Sequence, residues 1–469
     1  MNEIKTDQEI VAYKKTKSEF VDYTRFEVDS AQRKVERDAF IGNLEYTPNY
    51  VYPKLDFLID DVDIQKKKSN IYEAVMELEA AKNNPDANFA ELELFAGFHE
   101  MRLKKIMLVE AARNLCNPIS MSAQEVNRQS FAELNEALYG EFDTRTYLGM
   151  IATEQQRASG FIPKSEIAEK IKIDLVRSLG RVDVGEEQEK ALLDEFTIQK
   201  LHTYVLERYK DVLGVVPNTS DDVYYDVTQC AEIINKALEA GGLAQLGWTA
   251  VENPAKSNPT TKQSDCTINL PSNTRRNASE LRRLIIHEQE VHARRAQSGR
   301  ESGLAPIKAG TADYADIEEG FGVILECAVE GSLDNPSFDR ARNRYITAGL
   351  ALGVDGRPRD SREVYEILWR DIAIQESEDG EISEADVKSA KNKAYTHIEN
   401  AYRGTQFWMK GVIYTKLKVY YEGFAKNAKY FEQNIDTLDK AFEDALIGKY
   451  NHTNPNEKDL VKSAIANLK

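Results

Sequence analysis

The sequence predicts a mainly α-helical protein with a small β-sheet, and three observations support this fold class. Apolar residues recur at helical spacing along most of the 469 residues, Asn-Pro and Gly-Gly pairs end the periodic segments, and two short β-prone segments stand near the middle. We expect an N-terminal helical extension at 1–45 and one main domain at 46–469. That domain divides into a helical scaffold at 46–240 and a core at 241–469.

The N-terminal extension is predicted to be an amphipathic helix or a pair of helices. Residues 3–45 are rich in Lys, Glu and Asp, and apolar residues are spaced through them at Ile10, Tyr13, Phe20, Tyr23 and Phe26. Pro48 and Pro53 then mark a loop before the scaffold begins.

The scaffold is predicted to consist of successive helices with clear stops. One helix follows Asn83-Asn84-Pro85 and ends before Asn117-Pro118. Further helices are predicted at 122–138, 147–158, 164–179 and 186–213. A last helix is predicted from near Asp222 to Gly241-Gly242.

The core begins with two β-prone segments, 248–252 and 266–270, which predict a hairpin or small sheet. A loop with Pro and Lys residues, 253–265, separates them. An exposed strand edge at this place would be able to pair with the backbone of an extended peptide.

Composition limits the classes of partner. The net charge of −17 would repel nucleic acid and anionic membrane, and no apolar run approaches the length of a membrane span. The N-terminus lacks an apolar segment of signal-peptide length, so we expect a cytoplasmic protein without nucleic-acid or membrane partners. Four scattered cysteines are predicted to be reduced packing residues: Cys116, Cys230, Cys266 and Cys327.

The most informative motif is His287-Glu288-Gln289-Glu290-Val291-His292, which holds two of the six histidines. Many zinc peptidases place two histidines four residues apart on a helix, with a glutamate after the first. Here the spacing is five, which in a regular α-helix separates the side chains by roughly 140°. A π-turn would return both to one face. The motif is therefore either a metal site on a π-turn or a chance pair of histidines that are solvated or paired with acids.

A third ligand is predicted on the helical segment 313–330. Glu318 and Glu319 stand there before Gly320, and a carboxylate from this second helix would complete a His-His-Glu zinc site with one open position. A solvated helix face is the alternative. Gly320 and Gly322 disfavour a helix, which indicates that something packs closely against them.

The segment 275–300 contains seven arginines and three acidic residues, which gives a local excess of four positive charges around the motif. This patch would attract a carboxylate. Ordinary helix decoration is the alternative for most of them, because Arg294, Arg295 and Arg300 would lie near a helix C-terminus.

The segments LIIHEQEVHARRAQSG (284–299) and IEEGFGVILE (317–326) resemble the H-E-x-x-x-H zinc peptidases. This family includes the microtubule-associated tyrosine carboxypeptidases and bacterial proteins named for a Q-E-G-L-A motif. TPNYVYP (47–53), SREVYEIL (361–368), YRGTQ (402–406) and VIYTKLKVYYEGF (412–424) are similar to further parts of the family, so the resemblance covers roughly 45–469.

The resemblance implies a zinc carboxypeptidase that binds one Zn²⁺ per chain in the core. His287 and His292 would bind the metal, Glu288 would be the general base, and Glu319 would be the third ligand, with Glu318 as its contender. Arg403 and Lys416 are the candidates for binding the carboxylate of a peptide or protein C-terminus. The relatives suggest a C-terminal tyrosine or other aromatic residue, but the acidic tail of tubulin would meet a chain of net charge −17.

Two other functions are compatible with the residues. A dipeptidyl peptidase III-like enzyme shares H-E-x-x-x-H, but its E-E-x-x-x-E pattern would need a glutamate where Val323 stands. A non-catalytic helical adaptor, with structural zinc or none, would have no need of Glu288 as a base. Release of dipeptides from N-termini would identify the dipeptidyl peptidase III-like enzyme. Absence of any peptide cleavage would identify the adaptor.

Overall fold

The computed structural model describes residues 26, 28, 30–50, 52, 61–85, 87–116, 121–180, 193–256, 258–377 and 379–468. Most of these residues are helical, and they include one small three-stranded sheet, so the predicted mainly α-helical fold class is confirmed. Within the described ranges, no helix has both the length and the apolar character needed to cross a membrane. Ile10, Tyr13, Phe20 and Tyr23 lie outside the described residues.

Nine helices precede the sheet in the described part of the chain. They are α1 (Ser30–Gly42), α2 (Asp61–Ala81), α3 (Phe89–Cys116), α4 (Met121–Tyr139), α5 (Thr144–Gly160), α6 (Glu166–Leu179), α7 (Glu195–Arg208), α8 (Lys210–Leu213) and α9 (Val227–Ala240). The predicted helices at 122–138, 147–158 and 164–179 agree with α4 to α6 to within three residues. Of the one predicted at 186–213, residues 186–192 are not described.

The predicted start of α9 near Asp222 is wrong. The helix begins at Val227 because Asp226 caps it: its carboxylate accepts the backbone N–H of Gln229 at 3.0 Å, and Gln229 Oε1 accepts the N–H of Asp226 at 3.0 Å. This reciprocal pair satisfies donors that have no partner inside the helix.

The sheet consists of β1 (Thr249–Glu252), β2 (Thr260–Lys262) and β3 (Thr267–Leu270), in the order β1-β3-β2. The two predicted strands, β1 and β3, are parallel neighbours and do not form the hairpin that was one expectation. β2 lies within the predicted loop and pairs antiparallel with β3. β2 is therefore an outer strand of the sheet.

The C-terminal half contains α10 (Ala278–Ile285), a π-helix (Ile286–Ala293), α11 (Arg294–Glu301), α12 (Ala305–Ala309), α13 (Ala315–Glu330), α14 (Pro336–Leu352), α15 (Ser361–Gln375), α16 (Glu384–Tyr402), a 3₁₀ turn (Thr415–Lys418), α17 (Val419–Gln433), α18 (Leu438–Ala445) and α19 (Pro455–Ala466). The main hydrophobic core contains side chains from Phe40 to Ala445. It therefore includes residues of both predicted segments, 46–240 and 241–469.

Helix α13 runs through the centre of this core and packs against α7, α17 and the π-helix. The contact with α17 is closest at Gly320 and Gly423, where a Cβ atom on Gly320 would overlap the backbone of Gly423. Only glycine allows the two backbones to approach this closely. The prediction that something packs closely against Gly320 is confirmed, and the contact fixes the position of Glu319 next to it.

Candidate metal centre

The two motif histidines lie on the π-helix Ile286–Ala293, which is continuous with α10 before it and α11 after it. The ring centroids of His287 and His292 are 4.8 Å apart, with an angle of 68° between the ring planes. The prediction of a π-type turn is therefore confirmed, and the extra residue places both imidazoles on one side of the helix.

Residues between the histidines anchor the π-helix to the end of α9. Gln289 is fully buried, and its Nε2 donates to the carbonyl of Ala237 at 2.9 Å. Glu290 is buried beside it and pairs with Arg294 at 3.1 Å, whose guanidinium donates to the carbonyl of Gly241 at 2.7 Å. These hydrogen bonds hold the middle of the π-helix against the end of α9.

Each histidine ring is oriented by a carboxylate from α13. His287 Nδ1 lies 2.6 Å from Glu326 Oε1, and His292 Nδ1 lies 2.7 Å from Glu318 Oε1. An Nδ1–H group that donates to a carboxylate leaves Nε2 as the atom for a metal, which would bind there in place of a proton, and this arrangement is common around metal-binding histidines. Both Nε2 atoms are therefore the expected metal-binding atoms.

The adjacent carboxylates Glu318 and Glu319 have different surroundings. Glu318 contacts His292, Arg295 and Lys449, with the two ion pairs at 3.2 and 2.7 Å. Glu319 instead directs Oε2 toward His287 Nε2, at 3.8 Å. This geometry favours Glu319 over Glu318 as the third ligand, because Glu319 approaches the nitrogen that is left for a metal.

The donor types, two imidazoles and a carboxylate, are those of divalent metal sites. Two donors that share one zinc ion stand at most about 4.2 Å apart, twice a zinc–nitrogen bond. The 3.8 Å between Glu319 Oε2 and His287 Nε2 lies inside this limit. In the described part of the chain, His287, Glu288 and His292 form a group of possible metal-binding atoms within 4.8 Å of one another, and this group does not include Glu319.

Glu288 is held by the sheet. Thr261, on the outer strand β2, donates its hydroxyl to Glu288 Oε2 at 2.7 Å, and the same hydroxyl oxygen lies 3.0 Å from the backbone carbonyl of Glu288. The carboxylate is buried. The Glu288 carboxylate is thus positioned by Thr261 of the sheet, independently of any metal ion.

Charges inside the site shift the pKa values of its groups. Burial disfavours the protonated form of His287, but the hydrogen bond and charge of Glu326, together with Glu288 and Glu319, raise its pKa to about 9. Burial likewise disfavours the ionised form of Glu319, but the charges of His292, Lys416 and His287 lower its pKa below the usual range. Glu319 is therefore a carboxylate at neutral pH.

Lys416 and Arg403 are the two candidates for binding a substrate carboxylate, and the charge of Lys416 interacts with that of Glu319. Burial lowers the pKa of Lys416, but Tyr414, Glu319 and Tyr420 raise it above its ordinary value, so the side chain is charged. Among the residues that the structure describes, none forms an ion pair with Lys416. The Arg403 guanidinium lies 5.6 Å from the centroid of the Tyr414 ring. The charge of Lys416 thus acts on a predicted ligand, and the described contact of Arg403 is with Tyr414.

Several arginines of the predicted basic patch are committed to internal contacts. Arg295 is fully buried and donates to the carbonyls of Gly448 and Tyr450 at 2.9 and 2.6 Å. Arg294 pairs with Glu290. The expectation that Arg295 is surface decoration near a helix C-terminus is therefore wrong, because its side chain is a buried support of the site.

Three supporting residues were not predicted. Glu326 had a signal, because it lies seven residues after Glu319, two turns along the same helix face. Thr261 lies on a three-residue strand, and Lys449 lies more than 120 residues beyond Glu318. Neither carries a local pattern that connects it to the histidines.

The similarity to zinc carboxypeptidases stays a prediction from short motifs. No family model, no curated protein and no solved structure matches this chain.

Proposed function

We propose that this chain is a zinc-dependent carboxypeptidase that removes a C-terminal residue, aromatic by resemblance, from a peptide or protein. The observation that supports it most is the π-helix, which brings His287 and His292 together with Glu288 between them in sequence. A chance pair of histidines, solvated or paired with acids, would not require this rare helix type.

The donor chemistry supports zinc as the metal. Two imidazoles and one carboxylate, from His287, His292 and Glu319, are a donor set of catalytic zinc sites, which keep one position open. One ion per chain is expected. Zinc bound there supplies Lewis acidity toward the scissile carbonyl.

Glu288 is the proposed general base. Its carboxylate takes a proton from the attacking water and passes it to the leaving amine. The Thr261 hydroxyl holds Oε2 at 2.7 Å and orients the carboxylate for this transfer. A purely structural metal site has no need of such a carboxylate, which argues against the non-catalytic adaptor.

Lys416 is the better of the two candidates for binding the substrate carboxylate. Its charged side chain interacts electrostatically with Glu319 and with the tyrosines at 314, 414 and 420. An ammonium group binds a carboxylate as a point charge, and aromatic walls suit an apolar or aromatic terminal residue. For Arg403, the described contact with Tyr414 gives no link to the proposed metal ligands.

The proposal is tested by metal content and by cleavage products. We expect about one zinc per purified chain, and we expect His287→Ala and His292→Ala to lose it. The control is His202→Ala, which should retain zinc, because the His202 ring contacts the carbonyl of Ala328 and neither motif histidine. Glu288→Gln should retain zinc and lose cleavage. Full metal retention in both histidine variants would refute the site.

A peptide library read by mass spectrometry identifies the reaction. Single residues released from C-termini support the carboxypeptidase. Dipeptides released from N-termini would instead support the dipeptidyl peptidase III-like alternative. A fully zinc-loaded protein that cleaves none of the library would favour the adaptor with structural zinc.

A further inference from the structure

Glu318 is the carboxylate that contacts the His292 ring, and it is almost completely buried. Its Oε1 lies 2.7 Å from His292 Nδ1 and also 2.7 Å from Lys449 Nζ. Its Oε2 lies 3.2 Å from Arg295 Nη1. Lys449 therefore shares with His292 the same oxygen atom, whereas Arg295 holds the other.

The backbone around Lys449 is fixed on both sides. Its N–H donates to the carbonyl of Ile307 at 2.6 Å, and its carbonyl accepts the N–H of Thr311 at 3.0 Å. The carbonyls of the flanking residues Gly448 and Tyr450 accept hydrogen bonds from Arg295. The ammonium group is thereby directed at Glu318 by a segment that lies far from the motif in sequence.

From this geometry we propose that Lys449 is a positioning residue for the metal ligand His292, acting through Glu318. The proposal rests on the proposed metal site. A buried carboxylate needs compensating charge and fixed partners. If Lys449 is removed, Arg295 alone holds the carboxylate, through the oxygen that does not contact His292, and the imidazole loses its fixed orientation.

The first test compares zinc affinities by competition with a chromophoric chelator. Lys449→Met should bind zinc about 10- to 100-fold more weakly than the wild type, the usual effect of losing a partner outside the ligands. Lys449→Arg should retain most of the affinity. The control is Lys462→Met, which breaks a lysine–carboxylate pair of the same 2.7 Å length with Asp444 and should leave zinc affinity unchanged.

The second test asks whether Lys449 acts through Glu318. In a Glu318→Gln background, Lys449→Met should cause little further loss of affinity, because the group that it positions has lost its charge. Independent, multiplying losses in the double variant would overturn the proposal. Circular dichroism and melting temperature check folding, and Lys449→Gln serves as a milder second variant if Lys449→Met unfolds.

The outcomes separate this proposal from the proposed function. A wild-type chain that binds no zinc would overturn the metal site, and the role of Lys449 with it. Zinc binding that is equally tight in the wild type and in folded Lys449→Met and Lys449→Gln variants would overturn the role of Lys449 alone.

Discussion

The Nδ1 atom of His287 lies 2.6 Å from Oε1 of Glu326, and its Nε2 atom lies 3.8 Å from Oε2 of Glu319. Both carboxylates are on α13, two turns apart. Glu318, on the same helix, contacts the other histidine. One helix thus supplies the proposed ligand and the partners that orient both imidazoles.

Glu326→Gln is expected to weaken zinc binding by about 10- to 100-fold without unfolding the protein. The amide retains the shape of the side chain but loses the negative charge that strengthens the hydrogen bond with His287. Isothermal titration calorimetry measures the affinity. The control is Glu330→Gln, because Glu330 lies on the same helix as Glu326 and pairs with Arg283 of α10. Equal affinities in the wild type and Glu326→Gln would contradict the role of this contact.

Gly322→Ala is expected to reduce both zinc content and stability. An alanine in a helix interior normally stabilises it by about 0.5–1 kcal/mol, but this methyl group would overlap the ring of His287. Overpacking of this kind costs roughly 1–3 kcal/mol. Metal analysis and urea unfolding measure the two effects. Gly160→Ala, where the added methyl meets nothing within 4 Å, should leave zinc content unchanged and should not lower stability. A fully zinc-loaded Gly322→Ala variant would argue against the position of His287.

Thr261→Val should lower catalytic efficiency while zinc content stays constant. The substitution removes the hydroxyl that orients Glu288, and a hydrogen bond to a charged group contributes about 1.5–3 kcal/mol, roughly a 10- to 100-fold change. Steady-state kinetics on the library peptide that is cleaved fastest measures the loss of catalytic efficiency. The control is Thr260→Val, because the Thr260 hydroxyl is buried without a hydrogen-bond partner in the described structure. Unchanged kinetics in Thr261→Val would remove this residue from the mechanism.

His452→Phe should make stability less sensitive to acid. His452 is fully buried against the rings of Phe321 and Tyr430, and in the described part of the chain neither ring nitrogen has a hydrogen-bond partner. Burial, with the charges of Arg295 and Lys458, lowers its pKa well below 6.5. The unfolded chain therefore binds this proton more readily, and stability falls as the pH drops below about 6.5.

The phenylalanine variant lacks this group, so between pH 7 and pH 5 it should lose less stability than the wild type. The difference approaches about 1.4 kcal/mol for each pH unit below 6.5. Urea unfolding at several pH values measures it. Parallel pH dependences in the two proteins would show that His452 does not titrate on unfolding.

The helical fold and the geometry of the histidine pair were predictable from local pattern. Periodic apolar residues determine helix positions such as α4, and the five-residue spacing of His287 and His292 admits a common face only on a wider turn. Local pattern also indicated the close packing at Gly320, because glycine disfavours a helix unless a neighbour needs the space.

Contacts between distant segments were not predictable in this way. Strand β2 has three residues, which carry no period of their own, and it forms only because β3 provides a partner. The sequence left Glu318 and Glu319 as alternatives. Side chains of adjacent helix residues point about 100° apart around the helix axis, and the sequence does not show which of the two directions leads to the histidines. Their neighbours in the folded chain, Lys449 for one and His287 for the other, distinguish them.

The crossing at Gly320 and Gly423 has a consequence for how the proposed site would acquire an ion. Because the two backbones touch there, α13 cannot slide or roll against α17, and the backbone of Glu319 is fixed by the fold itself. This proposed ligand is therefore preorganised, so the entropy of ordering it is lost during folding rather than during loading. Unlike a zinc finger, which unfolds when stripped of its metal, this chain should keep its fold in a chelator and regain the ion without refolding.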